Sequence, residues 1–122
     1  MELYKKEEYY KIAGICMGIH NILGPGLSEV IYKDALEFEF KSNGIPFERE
    51  KAFSVNYKNV ILAHQYYADF IVYDEIILEV KAIKEILNEH ISQTINYIRL
   101  AGSEIGIIVN FTKSLQHKRI II

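Results

Sequence analysis

The 122-residue chain contains only one cysteine and two prolines, and it has no long uninterrupted hydrophobic run. The single thiol, Cys16, cannot form an intrachain disulfide, and its place in a helical apolar pattern predicts a buried side chain. No apolar stretch approaches the roughly 20 residues that a membrane-spanning helix needs, and the charged N-terminus lacks a signal-peptide segment. We therefore expect a cytoplasmic protein that makes no membrane contact.

An excess of positive charge is also absent. The chain has 14 Lys and Arg residues against 16 Asp and Glu residues, for a formal net charge of −2. This balance argues against a protein held to nucleic acid by a generally basic surface, although a local site needs only a few cations. The composition is that of an ordinary globular protein, and the length predicts a single domain over residues 1–122.

Two helices are predicted at the start of the chain. Apolar residues recur at helical spacing over residues 5–23, and Gly24-Pro25-Gly26 ends that pattern. A second helix is expected from near Leu27 to about Ser42, with Asn43-Gly44 as a left-handed C-terminal cap. We expect the buried stripe of this helix to consist of Leu27, Ile31, Ala35 and Phe38.

The hydrophobic period then changes to that of strands. Residues 47–57 and 60–73 predict two strands joined by a tight turn at Lys58-Asn59. A turn at Asp74-Glu75 leads into a third strand over residues 76–82. Connections this short require an antiparallel meander.

The remaining elements predict a mixed sheet. Residues 84–101 return to helical spacing, residues 105–111 form an apolar and therefore interior strand, and residues 119–122 add a short last strand. The helical crossover before residue 105 permits a parallel pairing. The order α-α-β-β-β-α-β-β predicts an α/β fold with a mixed central β-sheet flanked by helices.

Three charged residues interrupt the apolar strands. Glu79 and Lys81 share one face of the third strand, and Asp69 stands alone in the apolar run before it. An antiparallel hairpin places Asp69 within diagonal reach of Glu79 and Lys81. Two interpretations follow. Lys81 forms a structural ion pair with the carboxylates, or the carboxylates hold a hard divalent ion such as Mg²⁺.

Two further polar clusters are open to more than one interpretation. Glu29, in the first turn of the second helix, complements the helix dipole or belongs to the site. His90, Gln93 and Tyr97 share one face of the third helix and form either a solvated surface or the lining of a cleft. We expect His20 to pack on a helix face.

The combined series resembles a known family. The order Glu29, Asp69, Glu79-Val80-Lys81, Gln93 and Tyr97 is similar to the motif series of the PD-(D/E)XK nuclease superfamily, and Q-x-x-x-Y resembles an element of its RecB-like branch. GLSEVIY at residues 26–32 resembles the signature of the small prokaryotic GxxExxY proteins. Ala68 stands where the superfamily's name has proline, a variable position. The resemblance implies a restriction-endonuclease-like core.

The resemblance also implies roles for individual residues. Asp69, Glu79 and the carbonyl of Val80 would bind Mg²⁺ or Mn²⁺, and Lys81 would position or activate the attacking water. Glu29 would support the metal or its waters. Finally, Gln93 and Tyr97 would orient the active site or the phosphate backbone.

The expected function is that of a metal-dependent nuclease, a phosphodiesterase hydrolysing the phosphodiester bonds of DNA. No recognition helix or zinc module is visible, so sequence specificity is not expected to reside in this chain alone. The first alternative is a catalytically silent nuclease-fold module that binds or scaffolds a DNA-processing assembly. Action on another phosphorylated ligand is a third hypothesis. A homodimer and a larger assembly both remain open.

Overall fold

A computed structural model describes residues 5–122 of the chain. The described residues form three helices and seven strands in mixed order. The bounds are α1 Lys6–Leu23, α2 Glu29–Ser42, β1 Phe47–Phe53, β2 Asn56–Tyr57, β3 Val60–Ile61, β4 Tyr66–Val72, β5 Ile76–Lys81, α3 Asn88–Leu100, β6 Ile105–Asn110 and β7 Gln116–Ile121. None of these helices combines the length and the apolar character needed to cross a lipid bilayer.

Five of the strands form one mixed sheet in the order β1-β4-β5-β6-β7. Strands β5 and β6 are parallel, from Ile76 beside Ile105 to Lys81 beside Asn110, and α3 is the crossover between them. The other neighbouring pairs are antiparallel. The predicted meander, the parallel pairing and the mixed sheet flanked by helices are therefore confirmed.

Each face of the sheet has its own apolar core. On one face, α1 and α2 pack over side chains such as Phe70, Leu78 and Val80. On the other face, α3 packs through Ile98 over Ile77 and its neighbours. Because both faces are covered, β5 is buried from Ile76 through Val80, and polar groups in this strand are enclosed by protein.

The predicted stripe of α2 is only partly right: Leu27 and Ala35 pack against the core, but the helix is rotated from the predicted orientation. Ile31 and Phe38 are 41% and 67% exposed, whereas the fully buried side chains are Tyr32, Leu36 and Phe40. Both sets recur at helical spacing, so the pattern alone does not choose between them. The rotation follows from Tyr32, whose ring stacks on Phe111 at 4.3 Å and whose hydroxyl donates to the Gly24 carbonyl at 2.6 Å.

The two predicted long strands are each divided. Their outer parts form a separate two-stranded hairpin, β2–β3, with the expected tight turn at Lys58-Asn59. Both turn residues have positive φ, 48° and 67°, as a two-residue hairpin turn requires. The next turn lies at Tyr73-Asp74, also with positive φ, one residue earlier than predicted.

Other element boundaries also differ from the predicted ones, most of them by one or two residues. Residues 84–87 are not helical, because α3 begins at Asn88 after Leu87 as its N-cap residue. Strand β6 ends at Asn110, one residue before the predicted end. Strand β7 begins at Gln116 and is longer than the predicted strand, since its exposed polar residues pair along β6 despite lacking an apolar pattern.

Candidate active site

The candidate active site lies where β4 and β5 diverge. Their regular pairing ends at Phe70 beside Leu78. Beyond that point each strand is held by a carboxylate of the other: the Val80 amide donates to Asp69 Oδ2 at 2.8 Å, and the Asp69 amide donates to Glu79 Oε2 at 2.9 Å. The fork therefore brings Asp69 and Glu79 together, and their oxygen atoms replace the missing rungs of the ladder.

Glu79 is a buried carboxyl group in an environment that disfavours its charge. Its side chain is only 4% exposed. Burial, followed by the negative charge of Asp69, raises the pKa of Glu79 to about 8, although the Lys81 ammonium acts in the opposite direction. No Lys, Arg or His nitrogen in residues 5–122 lies within 4 Å of the Glu79 carboxylate. An acidic pair whose buried member has no cationic partner among the described residues is thus a site suited to a cation.

Two tyrosines cover the Glu79 side of the sheet. The Tyr66 hydroxyl donates to the backbone carbonyl of Tyr97 at 2.6 Å, and the two rings stack with centroids 4.6 Å apart. Burial and then the nearby charge of Glu79 raise the pKa of both hydroxyl groups. Both tyrosines therefore stay neutral near neutral pH; the Tyr66 proton is engaged by the Tyr97 carbonyl, and the Tyr97 hydroxyl is the one that can donate to a ligand. Tyr66 was not among the sequence-predicted site residues.

The cation beside Asp69 is Lys33, not Lys81. Lys33 Nζ lies 3.3 Å from Asp69 Oδ1 and 2.8 Å from Glu50 Oε1. Burial lowers the pKa of Lys33, but the pairing with Glu50 and Asp69 outweighs it, so the pKa is raised and the ammonium is retained. Lys81 Nζ has no carboxylate of residues 5–122 within 4 Å. The hypothesis of a structural ion pair through Lys81 is therefore wrong.

Glu29 reaches the same edge of the sheet from α2. It is the first residue of that helix, and its Oε2 accepts the Ala82 amide at 3.2 Å. The carboxylate thus holds the backbone directly after Lys81, in addition to lying at the positive end of the helix dipole. Neither of the two interpretations of Glu29 excludes the other.

The three polar residues predicted to share one face of α3, His90, Gln93 and Tyr97, lie in different environments. His90 accepts the Leu87 amide through Nδ1 at 2.9 Å and therefore caps the helix. Gln93 is exposed, while Tyr97 is half-buried against Tyr66. His20, on α1, donates from Nε2 to the Thr112 carbonyl at 2.7 Å and stacks on Phe111, which agrees with the expected packing role.

Asn110 is a buried polar residue that the sequence-based reasoning did not assign. It ends β6 beside Lys81, its Oδ1 accepts the Ile83 amide at 2.9 Å, and its Nδ2 donates to the Ile83 carbonyl at 3.0 Å. Nδ2 also donates to Gln116 Oε1 at 3.1 Å. Asn110 thereby fixes the chain that leaves β5. An amide side chain at the end of a fully apolar strand is the signal that could have identified it.

Asn110→Ala should destabilise the protein by roughly 2–4 kcal/mol, because both backbone groups of Ile83 would lose their buried partner. Urea denaturation followed by circular dichroism measures this difference. Asn96→Ala, on the exposed side of α3, is the matched control and should stay within about 0.5 kcal/mol of wild type. Equal stability of the two variants would contradict the assigned role of Asn110.

The oxygen donors at the fork fit a hard divalent ion in their chemistry. Such ions take carboxylate, carbonyl and water oxygens, and Mg²⁺ commonly uses only one or two carboxylates. Asp69 and Glu79 supply two carboxylates, with Glu79 unpaired by any described cation. No group of three or more His, Cys, Asp or Glu side chains among residues 5–122 is arranged to hold a metal. A metal at the fork would therefore depend on backbone, water or substrate oxygens as well.

The structure combines a mixed sheet with covered faces, two acidic side chains at a strand fork and a lysine two residues after the second acid. These features define the class of nuclease-like α/β proteins. The family model described as "PD-(D/E)XK nuclease superfamily" matches residues 6–121 of the chain. The chain belongs to this superfamily.

A solved structure and a search of curated proteins complete the comparison. The crystal structure of SSO0001 is similar to this fold, with a TM-score of 0.61 and 24% sequence identity. The match covers 95% of this chain and 58% of the SSO0001 chain, so this chain spans little more than half the length of that protein. The likeness concerns the fold alone. No curated protein matches the sequence.

Proposed function

We propose that residues 1–122 form a single nuclease domain that hydrolyses phosphodiester bonds, with DNA as the substrate, in the presence of Mg²⁺ or Mn²⁺. Membership of the superfamily supports nuclease chemistry. The observation that carries the metal dependence is the convergence of Asp69 with a buried, cation-free Glu79 at the strand fork. Within the superfamily, the GLSEVIY segment favours the GxxExxY group.

In this proposal Asp69, Glu79 and the Val80 carbonyl hold the metal. The ion supplies Lewis acidity and lowers the pKa of bound water. The hydrogen bonds from the Val80 and Asp69 amides fix the orientation of both carboxylates before substrate arrives. That preorganisation spares the site from reordering these groups during the reaction.

The other residues act on water and phosphate. Lys81 follows Glu79 on the same face of β5 and positions the attacking water or offsets charge on the phosphate. Glu29 anchors the Ala82 amide and thereby holds the end of the strand that carries Lys81. Tyr97 is held by Tyr66, and exposed Gln93 lies one turn before it, so both can face the nucleic acid backbone.

The setting of this activity is also a proposal. We infer a cytoplasmic protein whose partner is nucleic acid, acting as a homodimer or in a larger assembly. A chain with a net charge of −2 gains little nonspecific DNA affinity from its overall field, so a second copy or a larger assembly would supply further contacts to the nucleic acid.

The decisive assay incubates the purified protein with single- and double-stranded DNA and RNA, with Mg²⁺, with Mn²⁺ and with chelator. Cleavage of DNA that needs the metal is the expected result. Asp69→Asn should lose both cleavage and Mn²⁺ binding, because an amide is a poorer ligand for a hard cation than a carboxylate. Asp74→Asn, in the exposed turn before β5, is the control and should cleave like wild type.

The outcomes separate this proposal from its alternative. Cleavage that survives in Asp69→Asn would show that the chemistry lies elsewhere. A wild-type protein with neither cleavage nor metal binding by calorimetry would instead favour a catalytically silent nuclease-fold module.

A further inference from the structure

The Asp69 carboxylate already has a cationic partner within the protein, the ammonium group of Lys33. Its Oδ2 is taken by the Val80 amide, and its Oδ1 faces Lys33 Nζ at 3.3 Å. The Lys33 side chain is only 15% exposed, so solvent does little to screen this contact. Both oxygens of a proposed metal ligand are therefore engaged within the protein.

Lys33 is itself shared with a second carboxylate. Glu50 Oε1 lies 2.8 Å from Lys33 Nζ, closer than Asp69 does. Glu50 is side-chain exposed on β1, which lies next to β4 in the sheet. The ammonium thus lies between an acid of the fork and an acid outside it.

The backbone of β1 is irregular at Glu50. Arg49 pairs with Phe70 and Lys51 pairs with Ala68, so Glu50 and Asp69 are the residues skipped between two rungs. Glu50 has a φ of 53°, a left-handed conformation that a non-glycine residue adopts only at a cost. This local interruption places an acid beside Lys33 where a regular strand would continue its ladder.

From this arrangement we infer that Lys33 is a positioning residue that sets the cation affinity of the fork, holding Asp69 in the absence of metal and held in turn by Glu50. This inference rests on the proposed metal site. A bound divalent ion and the Lys33 ammonium would carry like charges at the same carboxylate, so each weakens the binding of the other. The pairing with Glu50 gives the ammonium a partner that does not compete for metal.

The test measures Mn²⁺ binding directly by isothermal titration calorimetry, without any nucleic acid. Lys33→Met removes the competing charge while keeping a side chain of similar length. We expect it to bind Mn²⁺ roughly tenfold tighter or more, as expected for removal of a like charge within a few ångströms. Lys33→Gln, also neutral but polar, should tighten Mn²⁺ binding as well. It replaces Lys33→Met in the test if the methionine variant folds poorly.

Thermal unfolding supplies a second measurement. Without metal, Lys33→Met should melt at a lower temperature than wild type, because Asp69 loses its only cation within 4 Å among residues 5–122. With saturating Mn²⁺ the deficit should shrink, since the ion then stabilises the folded state by binding it. Lys41→Met, which removes the Lys41–Glu37 pair on the same helix, is the control and should leave Mn²⁺ affinity unchanged.

The outcomes keep this inference separate from nuclease activity. Tighter Mn²⁺ binding by both Lys33 variants supports it whether or not the protein cleaves DNA, and so does binding that appears only in the variants. Unchanged or weaker Mn²⁺ binding in folded Lys33 variants overturns it and leaves Lys33 a purely structural ion pair. The absence of Mn²⁺ binding in wild type and variants alike also overturns it.

Discussion

Lys81→Ala should slow DNA cleavage by roughly 10²–10³-fold while leaving Mn²⁺ binding nearly unchanged, the size of effect seen when one preorganised charge-stabilising group is removed. The reason is the position of Lys81. It follows Glu79 on the same face of β5, yet its ammonium has no carboxylate partner within 4 Å in the described part of the chain. A cation held beside an acidic pair without neutralising it is free to act on water or phosphate.

Single-turnover cleavage kinetics at saturating Mn²⁺, together with calorimetry, measure the two effects separately. Lys84→Ala is the matched control, because Lys84 is exposed and lies three residues further along the chain. It should cleave at nearly the wild-type rate. A Lys81→Ala variant as active as this control would remove Lys81 from the mechanism, whereas loss of Mn²⁺ binding would assign it a role in holding the metal site.

Glu79→Gln should abolish Mn²⁺ binding and at the same time stabilise the metal-free protein at alkaline pH. In the folded chain, burial and the charge of Asp69 raise the pKa of Glu79 to about 8 from its ordinary value of 4.5. Between these two pH values the folded state binds a proton that the unfolded state has released. The contribution of Glu79 to the free energy of unfolding therefore falls as pH rises through this window, and the penalty is complete above about pH 8.

The glutamine variant isolates this effect because it resembles the protonated carboxyl group and does not titrate. We expect its stability advantage over wild type to grow from pH 5 to about pH 9 and to reach a few kcal/mol, the scale of a pKa shift of several units. Urea unfolding in chelator across this range measures it. Glu85→Gln, an exposed carboxylate beyond β5, should show no such divergence. If the free energies of unfolding of wild type and Glu79→Gln differ by the same amount across this pH range, the environment of Glu79 does not disfavour its charge, and the prediction is wrong.

Much of the fold followed from local patterns. Helical spacing predicted all three helices, and the Lys58-Asn59 turn and short connections predicted the antiparallel meander. These features are set by neighbouring residues in the chain, whose periodicity and turn chemistry act over a few positions. The rotation of α2 did not follow, because two apolar stripes fit the same helix and only the stacking of Tyr32 on Phe111 favours one of them.

The candidate site divides along the same line. The sequence by itself placed Asp69, Glu79 and Lys81 on adjacent antiparallel strands, because strand alternation and a short turn leave few registers. Only the tertiary structure paired Lys33 with both Asp69 and Glu50, and only it added Tyr66 and Asn110 to the surroundings of the site. These contacts join residues as distant as 36 positions along the chain, and such pairings depend on how helices and strands pack, which local patterns do not specify.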